Sequence, residues 1–229
     1  MIKSILELKF DKNIFVKIMQ IGLPAGVQSA VFAIANIVIQ SAINSLGTVV
    51  IAASSAAFNI EILAYYVLNS FSQACTTFVG QNYGAGDVKR CKKTLILCLI
   101  EDAIASASAI VLILICGKSL LSIFSSDPQV IEIGYTRLLL VFSAYTFTML
   151  YENISGYLRG FGISLVPAIL TIIGVCVVRV IWIYTVFPKS RTFSTIMMAY
   201  PISLSVTALL MFLALMFYRP SKKYAAHEV

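Results

Sequence analysis

Residues 18–46, 48–81, 94–117, 130–158, 163–187 and 193–218 are long apolar runs, and nothing else in the chain limits its fold so severely. The hydrocarbon core of a bilayer is about 30 Å thick, so a helix needs roughly 20 apolar residues to cross it. Four of these runs, 18–46, 48–81, 94–117 and 193–218, contain no Lys or Arg at all. By length alone the chain of 229 residues could be one soluble domain, but only 12% of it is charged and 59% is hydrophobic. A soluble chain carries about 25% charged residues to cover its surface. Barrel strands would show weak alternation over about ten residues, and these runs are longer and continuously apolar. The expected fold is therefore all-α and integral to a membrane, a six-helix transmembrane bundle over 18–218. An amphipathic segment (1–17) precedes it and a polar tail (219–229) follows.

The breaks between runs carry turn residues: Gly47-Thr48, Asn82 to Asp87, Ser125 to Pro128, Arg159 to Gly162, and Pro188 to Arg191. Asp127 can cap a helix whose first turn holds Pro128. Proline inside a helix removes a backbone hydrogen bond and kinks it, which is expected at Pro24, Pro167 and Pro201. Most basic residues fall between the runs or near their ends, and Arg179, within a span, is not counted. With the N-terminus inside, the inner stretches hold Lys3, Lys9, Lys12, Lys17, Lys89, Arg90, Lys92, Lys93, Arg159, Arg219, Lys222 and Lys223, twelve in all. The outer stretches hold Lys118, Arg137, Lys189 and Arg191, four in all. The positive-inside rule then puts both termini in the cytoplasm of a multi-pass protein of the cell (inner or plasma) membrane. The same rule explains the net charge of +7 without a nucleic-acid partner. The contacts expected are with membrane lipid.

Five cysteines with no C-x-x-C spacing argue against a disulfide framework or a zinc site. A single histidine, His227 in the tail, excludes metal chemistry built on paired histidines within the chain. No Gly-x-Ser-x-Gly or His-Glu-x-x-His motif suggests an intramembrane enzyme. No catalytic residue, metal site or cofactor is expected.

Polar residues recur within the spans. Gln28, Asn36, Gln40 and Asn44 are spaced by multiples of four, and Ser55, Asn59, Tyr66, Asn69, Gln73 and Thr77 follow helical spacings. Such stripes either hydrogen-bond neighbouring helices or line a hydrated cavity, and amides on two successive helices fit a cavity better. Acidic residues in a membrane usually face a cavity or a partner. Glu61 lies about 20 Å into the second run at 1.5 Å per residue. Glu152 shares a face with Tyr145, Thr148 and Ser155. Both are candidates for handling protons or cations, because a carboxylate removed from water exchanges protons nearer neutral pH. The plainer alternative is an ion pair, with Arg179 as a candidate partner. Glu101 and Asp102 can reach back to the interface.

Three motifs point to a family. Gly80 to Arg90 (Gly-Gln-Asn-Tyr-Gly-Ala-Gly-Asp-Val-Lys-Arg) resembles the loop after the eighth helix of the multidrug and toxic compound extrusion (MATE) family. Leu158 to Gly162 resembles that family's loop between helices ten and eleven. Gly22-Leu23-Pro24 resembles the start of its helix seven. The order and spacing match from about residue 13 to 218. Members have twelve helices in two six-helix lobes and exchange sodium ions or protons for organic cations and drugs. The resemblance implies the C-terminal lobe alone. A missing N-terminal lobe, or a second copy, is then the expected partner.

The family's acidic position in helix seven falls on Phe32, and that in helix ten falls near Thr148, with Glu152 one turn later. The resemblance thus implies half of a secondary active transporter, coupled to Na+ or H+, with organic cations as substrates. The coupling candidates are Glu152 and Glu61. The cavity candidates are Gln28, Asn36, Gln40, Asn44, Asn59, Tyr66, Asn69, Gln73 and Thr148. A flippase for lipid-linked or polar substrates, or an inactive truncated lobe, stands as the alternative.

Overall fold

A computed structural model describes residues 11–220 of the chain. Most of the amphipathic segment expected at 1–17, and all but the first two residues of the tail, lie outside the described residues. No strand occurs among the described residues. The first three apolar runs become long helices, α1 (Lys12–Asn44), α2 (Thr48–Gly84) and α3 (Val88–Ser122). The fourth becomes two helices, α4 (Pro128–Phe142) and α5 (Tyr145–Gly160), bent by 48° at Ser143-Ala144. The fifth comprises α6 (Leu165–Thr171), a π-helical stretch Ile172–Val177, and α7 (Val178–Thr185). The sixth comprises the short α8 (Phe193–Met197) and α9 (Ala199–Tyr218). Five of these spans are individually long and apolar enough to cross a membrane, and the bent pair supplies the sixth.

Local chemistry sets the ends. The Asp127 carboxylate accepts from the Gln129 backbone N–H at 2.8 Å, with Pro128 in the first turn, so α4 starts as its sequence indicates. Asp87 caps α3 through Arg90 N–H at 3.0 Å. Two of the three prolines depart from expectation. Pro167 and Pro201 are each the third residue of their helix, α6 and α9. In a first turn the missing N–H would have no partner anyway, so neither proline breaks a helix from within. Only Pro24 stands in a helix interior.

α2 is the centre of the bundle, packed against α3, α4 and α5, while α5 also packs on α9. Ala57, Leu68, Leu138, Leu158, Ile196 and Met211 are among its fully buried side chains. α1 stands to one side against the fifth span. The approach of α5 to α2 depends on Gly156 and Gly160, one turn apart. A Cβ on Gly156 would come within 2.5 Å of the Ser72 carbonyl oxygen, and one on Gly160 within 2.6 Å of Val79 Cβ. Small residues at such spacing let membrane helices touch backbone to backbone. Ser72 uses that closeness to donate to the Glu152 carbonyl at 2.8 Å.

Two expectations about charge change with the fold. Arg137 is not an outer-loop cation: it is 3% exposed within α4, which leaves Lys118, Lys189 and Arg191 on that side. Asp102 does not reach the interface. It is 0% exposed, and its carboxylate accepts from Ser106 Oγ and Asn153 Nδ2, both at 2.6 Å. The reason is its side of α3, which faces α5, whereas Glu101 beside it is exposed.

The tight α2–α5 contact makes a direct prediction. Gly156→Ala and Gly160→Ala should each destabilise the protein by about 1–3 kcal/mol through overpacking, seen as a lower Tm in detergent. Gly22→Ala should not, since nothing lies within 4 Å of its Cβ position.

Candidate functional site

A concavity of ≈ 560 Å³ opens between α1, α2, α5, α7 and α9. α1 contributes Gln28, Phe32 and Asn36, and α2 contributes Phe58, Glu61, Tyr65, Asn69 and Gln73. α5 contributes Tyr145, Thr148, Tyr151, Glu152 and Arg159, and Arg179 and Tyr200 come from α7 and α9. Of the residues singled out in the sequence, Gln28, Asn36, Glu61, Asn69, Gln73, Thr148 and Glu152 stand on this wall.

Gln40, Asn44, Asn59 and Tyr66 do not stand among its lining residues. Gln40 Nε2 donates to Asn44 Oδ1 at 2.8 Å, and Asn59 Nδ2 to the Ser55 carbonyl at 3.0 Å. Tyr66 is 59% exposed away from it. The cause is helical geometry. At 3.6 residues per turn, each step of four overshoots a full turn by roughly 40°. Four such steps carry Asn44 roughly 160° around α1 from Gln28. On α2 the wall follows Phe58, Tyr65 and Asn69, and Asn59 and Tyr66 lie roughly 80–100° from that line. Tyr65, not its neighbour, is therefore the aromatic residue of this face. Tyr145 was noted only as sharing the face of Glu152, and Tyr151 and Tyr200 were not singled out: Tyr151 is the immediate neighbour of Glu152 and Tyr200 lies on a different helix from Arg179, so no helical spacing marks them.

The two candidate carboxylates differ in their surroundings. Glu61 is bound by Arg137: Nη2 and Nε donate to Glu61 Oε2 at 2.8 and 3.0 Å. Arg137 Nη1 also donates to Ser54 Oγ at 2.7 Å. The guanidinium lies 5.5 Å from the Phe58 ring centroid and 5.6 Å from that of Tyr200. The partner of Glu61 is thus Arg137 and not Arg179, because the two face each other across α2 and α4. Glu152 is 7% exposed and has no cation within ion-pair distance among the described residues. Its Oε1 accepts a long bond from Tyr65 hydroxyl at 3.4 Å, Tyr151 hydroxyl is a second hydrogen-bond partner, and Asn69 Nδ2 donates to the Tyr65 hydroxyl at 3.4 Å. Nearby, Thr148 Oγ1 and Ser155 Oγ are buried without a hydrogen-bond partner. Arg159 Nη2 donates to Gln28 Oε1 at 3.1 Å, joining α5 to α1 at one end of the wall. Among the described residues, no three His, Cys, Asp or Glu side chains gather as a metal site.

The concavity is thus a one-sided polar wall of amides, tyrosines and one carboxylate without an ion pair, set in a bundle of membrane spans. The MatE family model matches residues 24–185, and the chain belongs to that family. The probable multidrug resistance protein NorM of Chromobacterium violaceum is 30% identical over 163 residues, which are 71% of this chain and 35% of that protein. The fold matches a crystal structure of MATE in the straight conformation with a TM-score of 0.85 at 19% identity, covering 96% of this chain and 50% of that one. It also matches a MOP-superfamily transporter from Pyrococcus furiosus with a TM-score of 0.84 at 20% identity, covering 99% of this chain and 50% of that one. The chain thus spans a third to a half of the length of the proteins it resembles.

The Glu61–Arg137 pair makes a stability prediction. Arg137→Met strands a buried carboxylate and should cost about 3–5 kcal/mol. Replacing both, Arg137→Met with Glu61→Met, should recover most of that loss. Thermal unfolding of the single and double variants in detergent measures the coupling.

Proposed function

We propose that this chain is one lobe of a cation-coupled antiporter that moves organic compounds across a membrane by alternating access. The observation that carries this reading is the contrast between its two wall carboxylates. A coupling group must be free to take up and release a proton or a sodium ion. Glu61 is held by a guanidinium, whereas Glu152 faces the concavity with neutral tyrosine hydroxyls and no ion pair among the described residues. A proton or Na+ on Glu152 removes a charge that is costly in the membrane. Its occupancy can therefore favour one arrangement of the bundle over another. The tyrosines and amides offer flat, adaptable contact to organic molecules, including faces for a cationic group.

A single lobe presents one wall, and alternating access rocks one bundle against another around a shared site. The second wall comes from a matching first lobe or a second copy of this chain. The positive-inside bias supports an orientation with Lys89 to Lys93 and Arg159 at the cytoplasmic side. A flippase for lipid-linked or polar substrates would want cations on the wall, and Arg159 and Arg179 are both there. An uncompensated carboxylate at the centre fits that role less well than it fits cation exchange.

The test is export of a rhodamine dye from a pump-deficient host expressing the chain with the first half of a relative such as the C. violaceum protein. Glu152→Gln keeps shape and hydrogen bonding but cannot cycle a proton or ion, and should abolish gradient-driven export at unchanged membrane abundance. Glu101→Gln, on a different face of the bundle, should leave export intact. Normal export by Glu152→Gln would sink the reading.

A further inference from the structure

One buried cation on the wall has no counter-charge among the described residues. Arg179 is 6% exposed and lines the concavity. Its Nε donates to Ser203 Oγ at 3.0 Å, and its guanidinium carbon lies 4.0 Å from the Tyr200 ring centroid. No carboxylate lies within ion-pair distance of it among the described residues. A guanidinium has five N–H donors, and the hydrogen bond to Ser203 uses one.

Burying a cation without an anion is costly, and more so in a membrane. The same wall shows how that cost is usually met. Arg137, whose guanidinium also lies near the Tyr200 ring, has Glu61. Arg179 has a ring and a hydroxyl, which fix the guanidinium without neutralising it. Its aim also depends on an irregularity. The π-helical stretch Ile172–Val177 precedes it directly. Such a stretch carries an extra residue, and one residue turns every later side chain by roughly 100°. An unbroken α-helix from α6 would point Arg179 elsewhere.

The charges on the wall with no ion-pair contact among the described residues are Glu152, Arg159 and Arg179. Arg159 already gives one N–H to Gln28. A wall built only for organic cations has no use for a buried, uncompensated guanidinium. A guanidinium fork suits a carboxylate or phosphate, which it can bind through two parallel hydrogen bonds.

We infer that Arg179 is a substrate-binding residue for an anionic group, and that the lobe takes zwitterionic aromatic amphiphiles: the anion on Arg179, the aromatic body on Tyr200 and its neighbours, the cationic end toward Glu152. This rests on the transport reading above and narrows its substrate class.

The test uses a xanthene dye with a free carboxylate (rhodamine B) and its ethyl ester, which share a ring system and cationic end. Each is titrated by fluorescence anisotropy against the full chain in phosphatidylcholine nanodiscs. The free acid should bind about tenfold tighter than the ester, a typical worth for one desolvated charge pair. Arg179→Gln should erase that difference by weakening only the acid, and Arg179→Lys should restore part of it. Lysophosphatidic acid should compete with the acid no better than lysophosphatidylcholine does. Stronger competition would move the anion to a lipid headgroup and overturn the aromatic assignment. Equal binding of acid and ester, or equal loss of both in Arg179→Gln, would overturn the anionic subsite while leaving the transport reading in place. Failure of both dyes to bind would overturn the proposed substrate class, since this wall carries every contact assigned to the dye.

Discussion

The Glu61–Arg137 ion pair decides what the rest of this wall can do. It joins α2 to α4 inside a membrane bundle, where neither charge could stand alone. Ser54 takes a third guanidinium hydrogen bond, and Tyr145 hydroxyl donates to the Glu61 carbonyl at 3.3 Å. The pair therefore reaches both halves of the broken fourth span, from Arg137 before the bend to Tyr145 just after it. By consuming one acid and one base it leaves Glu152 and Arg179 as the uncompensated charges deep in the wall. Had Glu61 paired with Arg179 instead, Arg137 would be the stranded cation, and the concavity would hold no unpaired buried cation.

The positions of those two residues depend on irregular backbone. Glu152 sits on α5, whose direction is set by the 48° bend at Ser143-Ala144 and whose closeness to α2 is set by Gly156 and Gly160. Arg179 follows the π-helical stretch of the fifth span. Irregular helices are tolerated at membrane depth where they are buried in protein or line a cavity. The bend is flanked by Val141 and Tyr145, and the π-helical stretch is followed by Arg179, and all three residues line the same concavity.

Much of the fold was legible because a membrane imposes a coarse rule: long apolar runs cross it. The runs locate all six spans, and Asp127-Pro128 marks the start of α4. What stayed hidden were the breaks within runs, since apolar composition does not distinguish a straight span from a bent one. Pro167 and Pro201 misled for a related reason. A proline's effect depends on its distance from the helix start, and those starts are set by breaks the composition does not show. The site was half legible. Gln28, Asn36, Asn69, Gln73 and Thr148 follow the wall, but a four-residue spacing drifts, so Gln40 and Asn44 turn away from it. Arg137 read as a loop cation because a charge near a run's edge looks the same whether it faces water or a buried acid. The pairing of Glu61 needed three-dimensional proximity between residues 76 apart, which no local pattern carries.

The central claim is that Glu152, and neither Glu61 nor the buried Asp102, changes its occupancy when substrate binds. Substrate-induced infrared difference spectroscopy of the reconstituted chain reads carboxyl protonation directly. The account predicts that a protonated-carboxyl band is lost on substrate addition, as the cationic end displaces the proton, that this difference band survives Asp102→Asn, and that it is missing in Glu152→Gln. A band that persists in Glu152→Gln, or that vanishes in Asp102→Asn, would contradict it.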